Sequence, residues 1–277
     1  MANFHLPPVG FGPGSQPADA DGAPQYLPMP QSMRVFVPPS LEVADPGRLA
    51  PALALMREVA AACRTCAETG ARARFDLAPL DAENRALIAE TMGHGEVSIR
   101  VRGVPAVAAQ ESVFAGVWVL SGHGIDRVEV APIPAPARER AFAPVRAGKG
   151  AEAPRGPAVV NAPPLLAELR DKSTTWARGA PAHVVNLSLL PHTEDDLRWL
   201  DAALGEGSVT ILSRGYGNCR ITATALPHVW RVQFFNSMDT LILDTFEVTE
   251  MPEVALAAPE DLSDSADRLI RVLETIR

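Results

Sequence analysis

The chain contains two copies of one pattern, and this repetition is the feature that most limits how it can fold. A shift of 112 residues, without any gap, superposes a glycine-rich turn and the hydrophobic runs that follow it on a second copy. The identical pairs are Gly93 and Gly205, Gly95 and Gly207, Val97 and Val209, Ile99 and Ile211, Arg102 and Arg214, Gly103 and Gly215, Val117 and Val229, and Trp118 and Trp230. After a six-residue insertion in the second copy, Asp126, Glu129 and Val130 match Asp244, Glu247 and Val248. A match of this extent indicates an internal duplication.

Residues 208–248 of the second copy have the pattern of four β-strands. Their hydrophobic runs are rich in Val, Ile, Thr, Phe and Trp, and turn clusters at 214–218 and 236–239 interrupt them. A helix precedes the strands in each copy, with Asp81 or Thr193 at the position that caps its N-terminus. The sequence therefore predicts an α+β protein of two pseudo-repeats, each with helices packed on a four-stranded antiparallel sheet and joined by a Pro-rich linker.

Four segments follow from this pattern. They are a Pro-rich tail at 1–47 with one possible edge strand, a first repeat at 48–134, a linker at 135–162, and a second repeat with a C-terminal helix at 163–277. The tail either has no role or becomes ordered on a partner. We expect the linker to separate two folded bodies, because its prolines disfavour central strands and long helices. The C-terminal helix, with Ser263 as its expected cap, should cover the second sheet.

Charge and composition restrict the partners of the protein. It has 33 Asp and Glu residues against 25 Lys and Arg, and this excess argues against binding to nucleic-acid phosphates. No apolar run approaches the roughly 20 residues that a membrane-spanning helix needs. Three cysteines are too few for a disulfide framework, and no basic region followed by an apolar run opens the chain. We therefore expect a cytoplasmic protein that contacts neither nucleic acid nor membrane.

The sequence lacks the motifs of common catalytic sites. It contains no Gly-x-Ser-x-Gly elbow, no phosphate-binding loop, no His-Glu-x-x-His zinc motif and no Gly-x-Gly-x-x-Gly turn. The six histidines are scattered, and none pairs with a cysteine or carboxylate at ligand spacing. We expect a protein that is not an enzyme, with no cofactor and no metal site.

The cysteines leave one alternative open. Cys63 and Cys66 lie three residues apart on the last turns of a predicted helix, so they could form a redox pair or, with Cys219, take part in carrying an iron–sulfur cluster. The simpler interpretation is that they are small apolar side chains in an Ala-rich helix. Stable ligation of a cluster usually needs four thiolates, and this chain has three.

A turn in the second copy is the candidate partner-binding site. It differs from its counterpart at 102–107 by gaining Tyr, Asn and Cys, whereas the fold of the first copy does not need them. Tyrosine and arginine are enriched at binding hot spots, although the turn could equally be a hairpin whose Tyr packs on the sheet. With the second turn cluster, the predicted site comprises Arg214, Gly215, Tyr216, Gly217, Asn218, Cys219, Asn236 and Asp239.

Several of these residues also carry a resemblance to a known family. The region 186–273, and most specifically the runs SRGYGNCR at 213–220 and NSMD at 236–239, resembles the C-terminal region of the hydrogenase expression/formation proteins called HupH, HyaF or HoxQ. The resemblance implies a non-enzymatic maturation factor for the iron–sulfur small subunit of a nickel–iron hydrogenase. It also implies action in the cytoplasm before twin-arginine export, alongside a thioredoxin-like companion protein.

Replacement of Tyr216 by Ala tests the predicted contact. A buried Tyr anchor at an interface commonly contributes about 2 kcal/mol or more, so we expect capture of the small subunit to weaken roughly tenfold or more. The thermal midpoint of the isolated protein should stay within a few degrees of the wild-type value. A large fall in midpoint with unchanged capture per folded molecule would instead identify the turn as core packing.

Overall fold

A computed structural model of the protein describes residues 47–215 and 217–276. The Pro-rich tail up to residue 46, with its possible edge strand, and Tyr216 therefore lie outside the described residues. The helices are α1 (Ala50–Thr69), α2 (Ala82–Met92), α3 (Ala135–Glu139), α4 (Ala162–Thr175), α5 (Glu194–Leu204) and α6 (Pro259–Thr275). The strands are β1 (Ala73–Asp76), β2 (Val97–Val101), β3 (Val107–Glu111), β4 (Val117–Gly122), β5 (Ile125–Val130), β6 (His183–Asn186), β7 (Val209–Ser213), β8 (Asn218–Ala223), β9 (Val229–Phe235) and β10 (Leu241–Val248).

All ten strands belong to one antiparallel sheet with the order β1-β5-β4-β3-β2-β7-β8-β9-β10-β6. The α+β class is confirmed, but two separate four-stranded sheets are not what forms, because each half contributes five strands to a common sheet. The halves meet where β2 pairs with β7, and Ile99 lies directly opposite Ile211 in that pair. Both isoleucines are almost completely buried. The pairing removes two strand edges that separate sheets would expose.

One face of the sheet is covered in its centre by connecting segments, and we call it the strap face. It carries Trp118 and Trp230 along with the central isoleucine pair. The segment after β5, which includes α3, and the segment after β10 pack across these side chains. The backbone N–H of Ser208 donates to the carbonyl oxygen of Ala141 over 2.8 Å, which fixes the first of these segments to the second half. The segment expected as a linker between separate bodies thus begins as a strap across one continuous sheet.

The C-terminal helix does not cover the second half, contrary to our expectation. It begins at Pro259, before the expected Ser263 cap, and packs against α1 of the first half. Arg64 and Asp267 form an ion pair with an N···O distance of 2.8 Å between the two helices. The strap after β10 explains the crossing, because the N–H of Ala257 donates to the Pro132 carbonyl oxygen and directs the chain back over the first half.

Two of the repeated glycines are required by close backbone approach. A Cβ atom on Gly95 would lie 2.2 Å from the carbonyl oxygen of Ser112, and one on Gly207 would lie 2.4 Å from that of Ala141. Neither distance is possible for a real side chain, and the neighbouring atoms belong to the backbone. The glycine pattern therefore reflects the sharp entry from helix to strand in each half.

Asp196 joins the start of α5 to the segment before α4. Its carboxylate accepts hydrogen bonds from the backbone N–H groups of Val160, Asn161, Ala162 and Thr193 over 2.8–3.0 Å, and it completes a capping box with Thr193. The side chain is fully buried. Burial favours the neutral carboxyl, but the four donors outweigh it and lower the pKa of Asp196 to about 2.

Replacement of Asp196 by Ala should destabilise the protein by roughly 3 kcal/mol at neutral pH, because several buried N–H groups lose their acceptor. The folded-state pKa is depressed, so the contribution is present above the unfolded value near 3.8 and is lost as the pH falls towards 2. Urea unfolding measured between neutral and acidic pH should show the difference between wild type and variant shrinking in that window. The exposed Glu194→Ala variant is the control, and equal stability loss in both variants would contradict the role of Asp196.

Candidate functional site

The two turns singled out in the sequence lie side by side at the same end of neighbouring strands. The hairpin turn between β7 and β8 adjoins the turn between β9 and β10, because Asn218 pairs with Phe235 across the neighbouring strands. The side-chain amide of Asn218 donates to Asp239 Oδ1 over 3.2 Å and links the turns directly. Residues separated by about twenty positions in the sequence therefore form one surface.

An open depression of about 640 Å³ lies at this surface. Four of the predicted site residues line it, namely Arg214, Asn218, Cys219 and Asp239. The other lining residues are Leu212, Ser213, Arg220 and Phe235, of which Ser213 and Arg220 flank the predicted turn in the run 213–220. The guanidinium carbon of Arg220 lies 5.5 Å from the centre of the Phe235 ring, which is within the range of a cation–π contact.

The remaining predicted residues have mainly structural contacts. Asn236 Oδ1 accepts hydrogen bonds from the N–H groups of Met238 and Thr240, both over 2.9 Å, and so closes its own turn. Gly217 has a φ angle of +95°, which favours glycine at this position. Gly215 faces the carboxylate of Glu96, at the flexible end of that side chain. Tyr216, the expected anchor, is outside the described residues.

Exposed apolar side chains adjoin the paired turns. Met238 is 83% exposed and Ile242 is 59% exposed, with Leu241 also open to solvent. These three residues, which we call the apolar rim, continue from the turn into the start of β10. The run Leu241-Ile242-Leu243 could have indicated this, because three consecutive apolar residues in a strand cannot all face one side of a sheet.

The backbone beside the apolar rim is open as well. β6 pairs only with Thr245–Val248 of β10, so the first half of β10 has no strand on that side among the described residues. The pairing with β9 shifts register between Leu241 and Leu243, which leaves Ile242 without a partner in that ladder. Ser188 Oγ accepts from the N–H of Asp244 and ends the open stretch. An unpaired apolar edge of this kind is a surface on which another chain can dock.

The three cysteines do not form a common site. Cys63 and Cys66 are buried in α1, whereas Cys219 is buried in the strap-face core on β8. α1 packs against β5, and β8 lies five strands away from β5 in the sheet. At the usual spacing between strands, this separates the two regions by roughly 24 Å. Burial, with a contribution from Cys66, raises the pKa of Cys63 to about 12, and burial with Glu247 raises the pKa of Cys219 to about 11. The arrangement favours structural thiols over a carrier site.

Within residues 47–215 and 217–276, no group of three or more His, Cys, Asp or Glu side chains is arranged to hold a metal ion. None of the helices in this part of the chain is both long and apolar enough to cross a membrane.

Comparison with known proteins identifies the family. The model of the C-terminal conserved region of the HupH hydrogenase expression protein matches residues 49–141 and 159–276. The chain belongs to this family. The match includes both turns of the candidate site and most of each half.

Named relatives extend over the full chain. It is 62% identical over 277 residues to the hydrogenase expression/formation protein HupH of Rhodobacter capsulatus, with all of both chains covered. The protein HoxQ of Cupriavidus necator is 46% identical, covering 100% of this chain and 99% of its own, and the hydrogenase-1 operon protein HyaF of Escherichia coli is 31% identical, covering 98% and 95%. A solved structure, hydrogenase expression protein HupH from Thiobacillus denitrificans, is 31% identical with a TM-score of 0.38, covering 40% of this chain and 92% of that chain.

The structural role of the thiols can be tested by their reactivity. All three are buried with raised pKa values, so a thiol reagent such as dithionitrobenzoate should react slowly with the folded protein and rapidly after unfolding in guanidinium. Protein purified anaerobically should show no cluster absorbance, and a Cys63→Ala/Cys66→Ala variant should have the same iron content as wild type. Stoichiometric iron that is lost in this variant would establish the carrier alternative.

Proposed function

We propose that this protein is a non-catalytic maturation factor that binds the immature iron–sulfur small subunit of a nickel–iron hydrogenase in the cytoplasm before its export. Full-length relatives named hydrogenase expression or formation proteins support the role in hydrogenase maturation. The single structural observation that carries the binding role is the apolar rim beside the paired turns. A thioredoxin-like maturation protein is the further partner that we propose.

The composition of the proposed surface suits a client that is not yet assembled. Apolar side chains and an open strand edge at the rim can shield extended hydrophobic segments of an incomplete polypeptide. Arg214 and Arg220 lie beside the rim and form no ion pair with another described residue. Their guanidinium groups can therefore make polar contacts with a client. Such a mixture of apolar anchors and arginine is typical of protein interfaces.

We also propose that two segments of the halves, about 48–134 and 163–252, arose by internal duplication. Counted from the central pair outwards, the strands follow the same succession in each half, β2-β3-β4-β5-β1 and β7-β8-β9-β10-β6. The family model matches sequence in both halves. If the halves are copies, a residue that differs from its counterpart in the other half is not required by the common fold and can serve a function instead.

Replacement of Ile242 by Glu tests the client surface. The side chain is already 59% exposed, so the thermal midpoint should change by only a few degrees, whereas a charge in a desolvated contact should weaken capture of the small subunit at least tenfold. Val160→Glu is the matched control, because Val160 is 58% exposed and lies outside the rim. The measurement is binding of the small-subunit precursor to immobilised full-length protein.

The binding measurement tests the proposed function and the proposed contact surface separately. Wild-type protein that does not retain the small-subunit precursor would overturn the proposed function itself. Retention that is equally strong in wild type, Ile242→Glu and Val160→Glu would preserve the function but exclude the apolar rim as the contact.

A further inference from the structure

A second cavity opens on the strap face at the β6 edge of the sheet, away from the paired turns. It has a volume of about 530 Å³. Val184, Phe234, Met251 and Val254 provide apolar walls, and Glu247 and Glu253 provide carboxylates; Ala182 and Thr249 complete the lining. None of these lining residues is basic. The cavity is thus an apolar groove whose ionisable lining residues are two glutamates.

The equivalent glutamate of the first half, Glu129, shows which groups pair with a carboxylate at this position of the sheet. Glu129 lies opposite Trp118 on one neighbouring strand and opposite Arg74 on the other. Its carboxylate forms ion pairs with Arg127 at 2.7 Å and Arg74 at 3.4 Å, and it accepts the N–H of Ala135 over 3.0 Å. With these partners the side chain is almost completely buried. These partners come from the first half and from the strap that follows it.

The second half keeps the glutamate and lacks its basic partners. Glu247 lies opposite Trp230 on one side, as Glu129 lies opposite Trp118, but on the other side Val184 takes the place of Arg74. Thr245 stands two residues before Glu247, where the first half has Arg127 before Glu129. Among the described residues, the only side chain that donates to Glu247 is Thr245, at 3.5 Å.

The environment of Glu247 disfavours its charge in the absence of a cation. Burial raises the pKa of this carboxyl, and the nearby Glu253 raises it further against the hydrogen bond from Thr245. A guanidinium or ammonium group placed between the two carboxylates would relieve both effects, while its aliphatic stem would contact Val184 and the other apolar walls.

We propose that this cavity binds an arginine or lysine side chain presented by an extended, otherwise apolar segment of a partner protein. β6 is the last described strand at this side of the sheet, and Val184 on it is 52% exposed, so an extended segment can lie along this edge. The partner's cation takes the place that Arg74 and Arg127 occupy in the first half. The inference rests on the proposed function only for the assignment of that segment to the hydrogenase small subunit.

A Val184→Arg variant tests the proposal by restoring the arrangement of the first half. The new side chain should occupy the cavity and pair with Glu247, so the protein should stay folded while capture of the small-subunit precursor weakens at least tenfold. Val160→Arg adds the same charge at a valine of similar exposure outside the cavity and should bind as wild type does. Glu247→Gln, which keeps the shape and removes the charge, should weaken capture in the same direction as Val184→Arg.

A defined peptide makes the test independent of the natural partner. The probe alternates valine and threonine around one central arginine, and its counterpart carries uncharged citrulline at that position. Fluorescence anisotropy should show the full-length protein binding the arginine peptide at least tenfold more tightly, and Val184→Arg should remove the difference. Equal binding of the two peptides by wild type would overturn the cavity assignment. Capture of the small subunit that all variants share would remove the cavity from that contact and leave the proposed function standing.

Discussion

The antiparallel pairing of β2 with β7 is the interaction on which the rest of the structure depends. It brings Ile99 against Ile211 at the centre of the sheet and turns two five-stranded halves into one continuous surface. Each of these strands would otherwise be an exposed edge with unpaired N–H and C=O groups. Because the centre is now continuous, its strap face can be buried by segments that cross from one half to the other. The crossing straps then place α6 on α1 and connect the C-terminus of the chain to its first half.

The two halves of the shared sheet differ in how completely their outer ends are covered. In the first half, the glutamate opposite the buried tryptophan is enclosed by two arginines and a strap N–H, so this end of the sheet is complete within the chain. In the second half, the equivalent glutamate faces an open cavity, and the start of β10 has an unpaired apolar edge. Similar strands thus produce a closed end and an open end. The open end carries both of the surfaces for which we propose partners.

Some residues of the candidate site could be predicted from the sequence and others could not. The comparison between copies located Asn218 and Cys219, and the turn clusters that contain them added Arg214 and Asp239. The fold brings all four to one depression. Leu212 and Phe235 had no signal in the sequence, because a strand residue becomes part of a site only through the neighbours that the pairing register gives it. The assignment of Asn236 and Asp239 to a turn followed directly from their residue types. The Asn236 side chain closes the turn by local hydrogen bonds, and Asp239 takes the positive φ angle that Asn and Asp tolerate.

The sequence by itself determined the class of secondary structure, the caps of α2 and α5 and the family. These depend on local chemistry, such as hydrophobic period, capping side chains and short motifs, which a single stretch of chain contains in full. Tertiary structure alone decided that the two halves share one sheet, that the Pro-rich connection begins as a strap and that α6 packs on the first half. Each of these features depends on which apolar surfaces pack together although they are far apart in the sequence. An apolar residue has the same local sequence pattern whichever surface it packs against, so the pattern does not identify the partner. The exposed state of Val184 and Ile242 has the same origin, since burial belongs to the neighbours of a side chain rather than to the side chain itself.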